Sequence, residues 1–370
     1  GQRFITLLEN HPWFEVVLVA ASGRSAGKLY EEAVDGRWKM AVAMPEYVKK
    51  MTVYDMDKDF DEIVSKVDFV FCAVNMPKDE IKALEERYAK AEVPVVSNNS
   101  ANRWTPDVPM VVPEINPEHL EVIESQKKRL GTTRGFICVK PNCSIQSYTP
   151  ALNALKEFEP KLVVATTYQA ISGAGKTFKE WPEMVENIIP YIGGEEEKSE
   201  KEPLRLWGKV ENGQIVPATE PVITCQCIRV PVLDGHTAAV FVKFKKKPTK
   251  EQLIEALRRA EAEVADKYFP NDADAVAKYE TYTQTVQVTN ELPGLPVSVL
   301  GSYSLKQKVS QETVAEFHSE GKALQTAYTE ANERYETLMT APRRDLGDSI
   351  RKAFSNVCLL YTSDAADEAR

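Results

Sequence analysis

The residues of this 370-residue chain best suited to covalent chemistry lie in "VKPNCSIQSYTP", Val139 to Pro150. Cys143 follows the strand-like "FICVK" and precedes the helix-like "SIQSYTPALNALKEF". A thiol at a helix N-terminus feels the helix dipole and exposed amides, which favour the thiolate and lower its pKa from about 8.5 to roughly 3.5–7.5. Pro150 is expected to complicate that helix and kink it. Because most cysteines are small buried apolar residues, the nucleophile reading depends on partners elsewhere in the chain.

Those partners are few. The chain has four histidines, and His11, His119 and His318 lie in plain helical or loop contexts. His236, in "RVPVLDGHTAAV", follows an Asp-Gly turn and heads a strand. Arg229 precedes that turn, so a fold-back brings both into one pocket. A histidine titrating near neutrality can shuttle a proton, and a planar guanidinium suits a carboxylate. "YQAISGAGK" ends an apolar run with Gln169 and a flexible turn suited to close backbone approach by a ligand. "IPYIGGEEEKSEKEP" is a charge run, ordinarily a solvated loop, in which Glu195 and Lys198 are candidates for an amino group and an anion. Singly, these read as a turn histidine, a surface arginine and a solvated loop; only the combination points to a site.

The elements that must position these residues fall into two patterns. Over the first 140 residues, the apolar runs "EVVLVAAS", "VDFVFCAV" and "VPVVSNNSA" read as strands. The helical patterns "PKDEIKALEERYAKA" and "NPEHLEVIESQKK" lie between and beyond them; Pro77 opens the first, with Ile81, Leu84 and Tyr88 in register. This predicts a parallel sheet covered on both faces, with ligands at the carboxyl ends of its strands. Those ends are small and polar: "AASGRSAGK", "AVNMP" and "SNNSANRW". In the first, Ser22, Arg24, Ser25 and Lys28 stand where an acidic residue would bind a ribose 2′-hydroxyl, favouring NADP over NAD. No G-x-G-x-x-G is present. From Lys161 the runs "KLVVATTYQAIS", "PVITCQCIRVPV" and "HTAAVFVKFKKK" are longer and β-branched, predicting a second, α+β domain with a mixed sheet. "TKEQLIEALRRA" opens with a Thr249–Gln252 capping box.

Composition narrows the function classes. A net charge of −9 argues against general affinity for nucleic acid or anionic membrane. No apolar run approaches the roughly 20 residues of a membrane span. Six cysteines in a chain this long do not suggest a disulfide scaffold. Cys225 and Cys227 form a single C-x-C, with no second pair to complete a metal site, and on a strand both thiols share one face. The reading is a reduced, cytoplasmic protein without a metal.

Six stretches, "AASGRSAGK", "SNNSANRW", "PNCS", "YQAISGAG", "GGEEEK" and "RVPVLDGH", together resemble aspartate-β-semialdehyde dehydrogenase of the archaeal and fungal branch. The resemblance runs from Gly1 to about Leu257. It implies a Rossmann-like NADP-binding domain over 1–142 and a catalytic and dimerisation domain over 143–257, in a homodimer or homotetramer. It implies that Cys143 carries the acyl group beside Asn142, that His236 is the acid/base and that Gln169 positions the acyl group. Arg229 would take the substrate carboxylate, Glu195 its amino group, and Arg103 and Lys198 the phosphate. Ser22, Arg24 and Ser25 would hold the NADP 2′-phosphate, with Ser172 and Gly173 near the nicotinamide. The implied reaction converts aspartyl phosphate to aspartate semialdehyde and phosphate in lysine, threonine and methionine biosynthesis.

Three features stand outside that pattern. The chain opens at helical spacing (Phe4, Leu7, Leu8), as though the family's first strand and glycine-rich turn were missing. Residues 258–357 read as helix-like sequence with no counterpart in the family, and 358–370 as a non-native tail. The alternatives are therefore a malonyl-CoA reductase or N-acetyl-γ-glutamyl-phosphate reductase using the same thiol and hydride steps, a cofactor-free Cys-His hydrolase, or an inactive remnant.

Overall fold

A computed structural model of the chain describes residues 1–11, 13–40, 42–268, 287–289 and 298–303. The first 139 residues alternate short helices and strands. In order these are α1 (Gln2–Leu8), β1 (Val19–Ala21), α2 (Tyr30–Val34), α3 (Glu46–Lys49), β2 (Val53–Asp55), α4 (Phe60–Lys66), β3 (Val70–Cys72), α5 (Lys78–Lys90), β4 (Val95–Ser97), α6 (Ile123–Leu130) and β5 (Ile137–Val139). β1 pairs with β2, and β3, β4 and β5 form a separate sheet, all parallel. The paired strands are shorter than the apolar runs that contain them.

Helix α5 follows its sequence signals. Pro77 caps it, Asp79 and Glu80 sit in its first turn, Arg87 and Lys90 sit in its last, and Ile81, Leu84 and Tyr88 are buried. The "NPEHLEVIESQKK" helix is tighter than expected. Its first half, Pro117–Val122, is a 3-10 turn, and only α6 beyond it is α-helical.

The second part contains α7 (Thr149–Ala154), β6 (Pro160–Gln169), α8 (Glu195–Leu206), β7 (Lys209–Glu211), β8 (Gln214–Val216), β9 (Val222–Arg229), β10 (His236–Phe244), α9 (Lys250–Tyr268), β11 (Gln287–Thr289) and β12 (Ser298–Tyr303). The main sheet has the order β11-β12-β10-β6-β9, with β6 and β9 parallel and the other pairs antiparallel. Period-two alternation turns Val163, Ala165, Thr167 and Gln169 of β6 inward, together with Ile223, Cys225, Cys227 and Arg229 of β9. Both C-x-C thiols therefore lie inside, with their sulfurs 3.8 Å apart. The core is continuous across both parts: Ile63, Val95, Met110, Ile137 and Val139 belong to the same buried cluster as Val163, Cys227 and Ala238.

The charge run expected as a solvated loop is helix α8, which lies along the edge of β9. Its Glu200 and Glu196 carboxylates accept the backbone N–H groups of Cys225 (3.2 Å) and Cys227 (3.3 Å), satisfying donors that an edge strand leaves open. Pro203 lies inside α8 and has no N–H for the carbonyl of Ser199. The Tyr148 hydroxyl donates to that carbonyl instead, at 3.1 Å. The Thr249–Gln252 capping box forms as expected, with bonds of 2.9 and 3.3 Å, and α9 buries Leu253 and Ala256 against Leu155. Strands β11 and β12 extend the sheet beside β10. The rest of the expected unrelated segment, apart from the end of α9, and the expected tail from 358 lie outside the described residues. Among the described residues no helix is long and apolar enough to cross a membrane.

Removing the Tyr148 hydroxyl should orphan the Ser199 carbonyl. Tyr148→Phe is expected to cost about 1–3 kcal/mol in urea unfolding. In a Pro203→Ala background, where the helix regains its own amide donor, the cost of Tyr148→Phe should fall below about 0.5 kcal/mol, a coupling that a double-mutant cycle measures.

Candidate active site

The loop that carries Cys143, the candidate nucleophile, leaves the end of β5 and is held at both ends. The N–H of Lys140 donates to the Ser97 carbonyl (3.0 Å), and the Lys140 carbonyl accepts Nε of Arg103 (3.0 Å). Glu202, on α8, accepts Nη1 of Arg103 at 3.0 Å with one oxygen and the N–H of Asn142 at 2.6 Å with the other. Arg103 is 6% exposed and Glu202 1%, so the pair is desolvated and each depends on the other. Asn142 is locked further. Its Oδ1 accepts the Ser144 N–H (2.8 Å) and hydroxyl (2.6 Å), and its Nδ2 donates to Glu195 (2.9 Å).

The expected helix after Cys143 is broken. Ile145–Ser147 is a single 3-10 turn, the chain restarts at Tyr148, and Pro150 sits in the first turn of α7, where its missing N–H costs nothing. A helix dipole is therefore not what activates the thiol. The sulfur of Cys143 lies 3.4 Å from Nε2 of His236. Nδ1 of His236 accepts the N–H of Ala170 at 3.1 Å, which assigns the proton of the neutral ring to Nε2, facing the sulfur. Cys143 is an exposed residue, yet protein surrounds its sulfur on most sides, and that burial alone would raise the thiol's pKa. The hydrogen bond and positive N–H dipole of His236, with the charge of Lys140, outweigh burial and opposition from Glu195, leaving the thiol below its ordinary value.

Sheet register assembles the opposite wall. Gln169 pairs with His236 on one side and Arg229 on the other, so three candidate side chains stand in a row at adjoining strand ends. Gln169 and Arg229 are buried, and Nη1 of Arg229 donates to the Ala170 carbonyl at 2.7 Å. A Cβ on Gly173 would come within 3.0 Å of both His236 and Arg229, so the glycine leaves space between them. The Ser172 amide ties this turn to the Leu233 carbonyl (3.1 Å). On α8, Glu195 pairs with Lys198 (2.6 Å) and faces Asn142, whereas Glu196 faces β9; Glu195 is thus the residue of the acidic run that reaches the site. Burial would raise the Glu195 pKa, but bonds from Lys198, Asn142 and Gln169 hold it below the usual carboxylate range.

Ser22, Arg24 and Ser25 lie apart from this cluster, in the turn after β1. Ser25 N–H closes the turn on the Ser22 carbonyl (3.0 Å). Arg24 is exposed and has no ion-pair partner among the described residues. Asp55, at the end of β2, approaches so closely that a Cβ on Gly23 would meet its Oδ2 at 2.8 Å. Its carboxylate is engaged by the amides of Asp57 (3.0 Å) and Lys58 (3.2 Å), which lower its pKa. Asp55 is therefore buried and engaged by backbone amides, while the Arg24 guanidinium is exposed beside the partly exposed Ser22 and Ser25. That donor set fits a 2′-phosphate.

Sequence reasoning missed Glu202 and Lys140. The signal for Glu202 was present in the spacing of Glu195, Lys198, Ser199 and Glu202, which is one face of a helix. It also missed that "SNNSANRW" is polar partly for internal reasons: buried Glu85 accepts Ser97 Oγ and Asn102 Nδ2, anchoring the loop from below.

Residues 1–123 match the family described as semialdehyde dehydrogenase, NAD binding domain, and 151–301 its dimerisation domain; 246–360 also match a family of unknown function. Together with the cysteine-histidine pair, these define a two-domain semialdehyde dehydrogenase. Aspartate-semialdehyde dehydrogenase of Methanothermobacter thermautotrophicus is 44% identical over 66% of this chain and 68% of its own length. The Schizosaccharomyces pombe protein of that name is 41% identical over 70% and 71%. A crystal structure of the Candida albicans enzyme with NADP superposes with a TM-score of 0.65 and 30% identity, covering 82% of this chain and 89% of that one. A Vibrio cholerae aspartate semialdehyde dehydrogenase II structure shares the fold, with a TM-score of 0.53 at 24% identity over 70% and 75%. The chain belongs to the aspartate-semialdehyde dehydrogenase family.

Because the thiolate is the reactive form, the lowered pKa of Cys143 has a kinetic signature. Its alkylation by iodoacetamide should reach half its plateau rate at a pH below that of an ordinary cysteine. His236→Ala removes the main lowering influences and leaves burial in place, so the half-point should move to higher pH, read by peptide mass mapping across a pH series.

Proposed function

We propose that this chain catalyses NADP-dependent reductive dephosphorylation of L-aspartyl-4-phosphate to L-aspartate 4-semialdehyde, a step in lysine, threonine and methionine biosynthesis. The observation that carries this reading is the 3.4 Å contact between Cys143 and His236, set within the fold of the family. Cys143 thiolate attacks the acyl carbon, the C–O bond to phosphate breaks, and phosphate departs with a proton. NADPH, when bound, supplies the hydride that the resulting thioester carbon accepts. The carbonyl then re-forms as the carbon–sulfur bond breaks, returning Cys143 as thiolate and releasing the aldehyde. Covalent catalysis divides one difficult displacement into two accessible steps.

Around that centre, His236 presents Nε2–H to the sulfur and to oxygen charge developing on the acyl carbon. Asn142 and Gln169 position the acyl group. Arg229 holds the α-carboxylate, Glu195 receives the amino group in exchange for Lys198, and Lys198 and Arg103 turn toward the phosphate. Ser22, Arg24 and Ser25 take the 2′-phosphate of NADP, and the space beside Gly173 and Ser172 admits the nicotinamide. The protein acts in the cytoplasm as a homodimer or homotetramer. Its partner-facing surface is the open sheet face carrying Val164, Tyr168, Val222 and Phe241, all exposed.

Phosphate-dependent reduction of NADP with aspartate semialdehyde tests the reaction. The full chain should turn over, and Cys143→Ala should fall at least about 10³-fold, the scale on which an isolated nucleophile is missed. Turnover unaffected by Cys143→Ala, or independent of NADP, would overturn the reading.

A further inference from the structure

Charge pairing around Cys143 leaves an imbalance. Glu202 is neutralised by Arg103, and Glu195 by Lys198. Two cations near the thiol have no carboxylate partner among the described residues, Arg229 and Lys140. Arg229 is accounted for in the proposed reaction; Lys140 is not.

Lys140 is placed for this region by its backbone. Its N–H is bonded to Ser97, its carbonyl is held by Arg103, and the neighbouring Asn142 amide is held by Glu202. The side chain folds over the next peptide, and Nζ donates to the Pro141 carbonyl at 3.0 Å. The amine is thus kept on the loop that carries Cys143, half-buried and with a neutral acceptor as its one hydrogen-bond partner. Burial lowers its pKa, while the charge of Cys143 acts to raise it. The charges of Arg103 and Glu202 act on it in opposite directions, and a partly desolvated ammonium with no direct carboxylate contact gains when an anion arrives to meet it. Arg103, its neighbour, already spends three donors on Glu202 and the carbonyls of Lys140 and Asn98.

We propose that Lys140, held on the loop that carries Cys143, is a further cation for the phosphoryl group at this site, beside Arg103 and Lys198. The ligand class is a phosphate dianion or acyl phosphate. The inference rests on the proposed reaction for its role in turnover, whereas anion binding by Lys140 is tested without turnover. A flexible ammonium suits a leaving group that must depart, because it follows the anion as a point charge without a fixed fork.

The test is protection of Cys143 from iodoacetamide by inorganic phosphate, in the full chain without cofactor, with the alkylated peptide identified by mass. Phosphate should slow alkylation saturably in the parent chain. Lys140→Met should raise the half-protecting phosphate concentration at least 10-fold and move the alkylation pH half-point upward. Lys140→Arg should restore protection to within about 3-fold. Unfolding midpoints identify a variant that has lost its fold, in which case Lys140→Gln takes the place of Met. Equal protection in parent and Met variant, or protection in neither, overturns the proposal. Lys140-dependent protection in a chain that does not reduce NADP would uphold the anion site while refuting the reaction.

Discussion

The site depends on one buried carboxylate. Glu202 meets a guanidinium from the first part of the chain and a backbone amide of the Cys143 loop, one with each oxygen. Arg103 in turn grips the Lys140 carbonyl, so the residues before Cys143 are fixed from both sides by a single ion pair. Breaking such a pair by removing one partner costs about 3–5 kcal/mol, because the survivor stays buried with its charge uncompensated. The use of so costly an interaction is positional: it ties the end of the parallel sheet to helix α8, and hence to the wall carrying Glu195 and Lys198.

The mixed sheet supplies the other half by register alone. Gln169, Arg229 and His236 are distant in sequence, yet strand pairing sets them side by side. A one-residue slip of β6 against β10 would turn Gln169 to the outer face and leave His236 opposite the wrong partner. Ala170 completes the arrangement through its backbone, its N–H setting the His236 tautomer and its carbonyl holding Arg229. No side chain at that position is needed for either bond.

The sequence made the chemistry more legible than its supports. Cys143 and His236 were identifiable by type and context, and the alternating runs of β6, β9 and β10 announced a sheet that brings them together. Helix α8 was hidden because Gly193, Gly194 and a dense charge run read as a loop, while the carboxylates prove to be spent on β9 amides, Asn142 and Arg103, satisfied partners that composition does not reveal. The break after Cys143 was also misread: Pro150 begins a helix where a kink within one was expected, and activation passes from a dipole to His236 and Lys140. Lys140 escaped notice since a lysine before a proline ordinarily means only a loop end.

The central claim is that Cys143 bears the acyl group. Intact-mass measurement of the full chain, incubated with aspartate semialdehyde and NADP while phosphate is withheld, tests it without relying on steady-state turnover. The account predicts a covalent aspartyl adduct on Cys143 that phosphate discharges. NADP reduction with no adduct, or with an adduct on another residue, would contradict it.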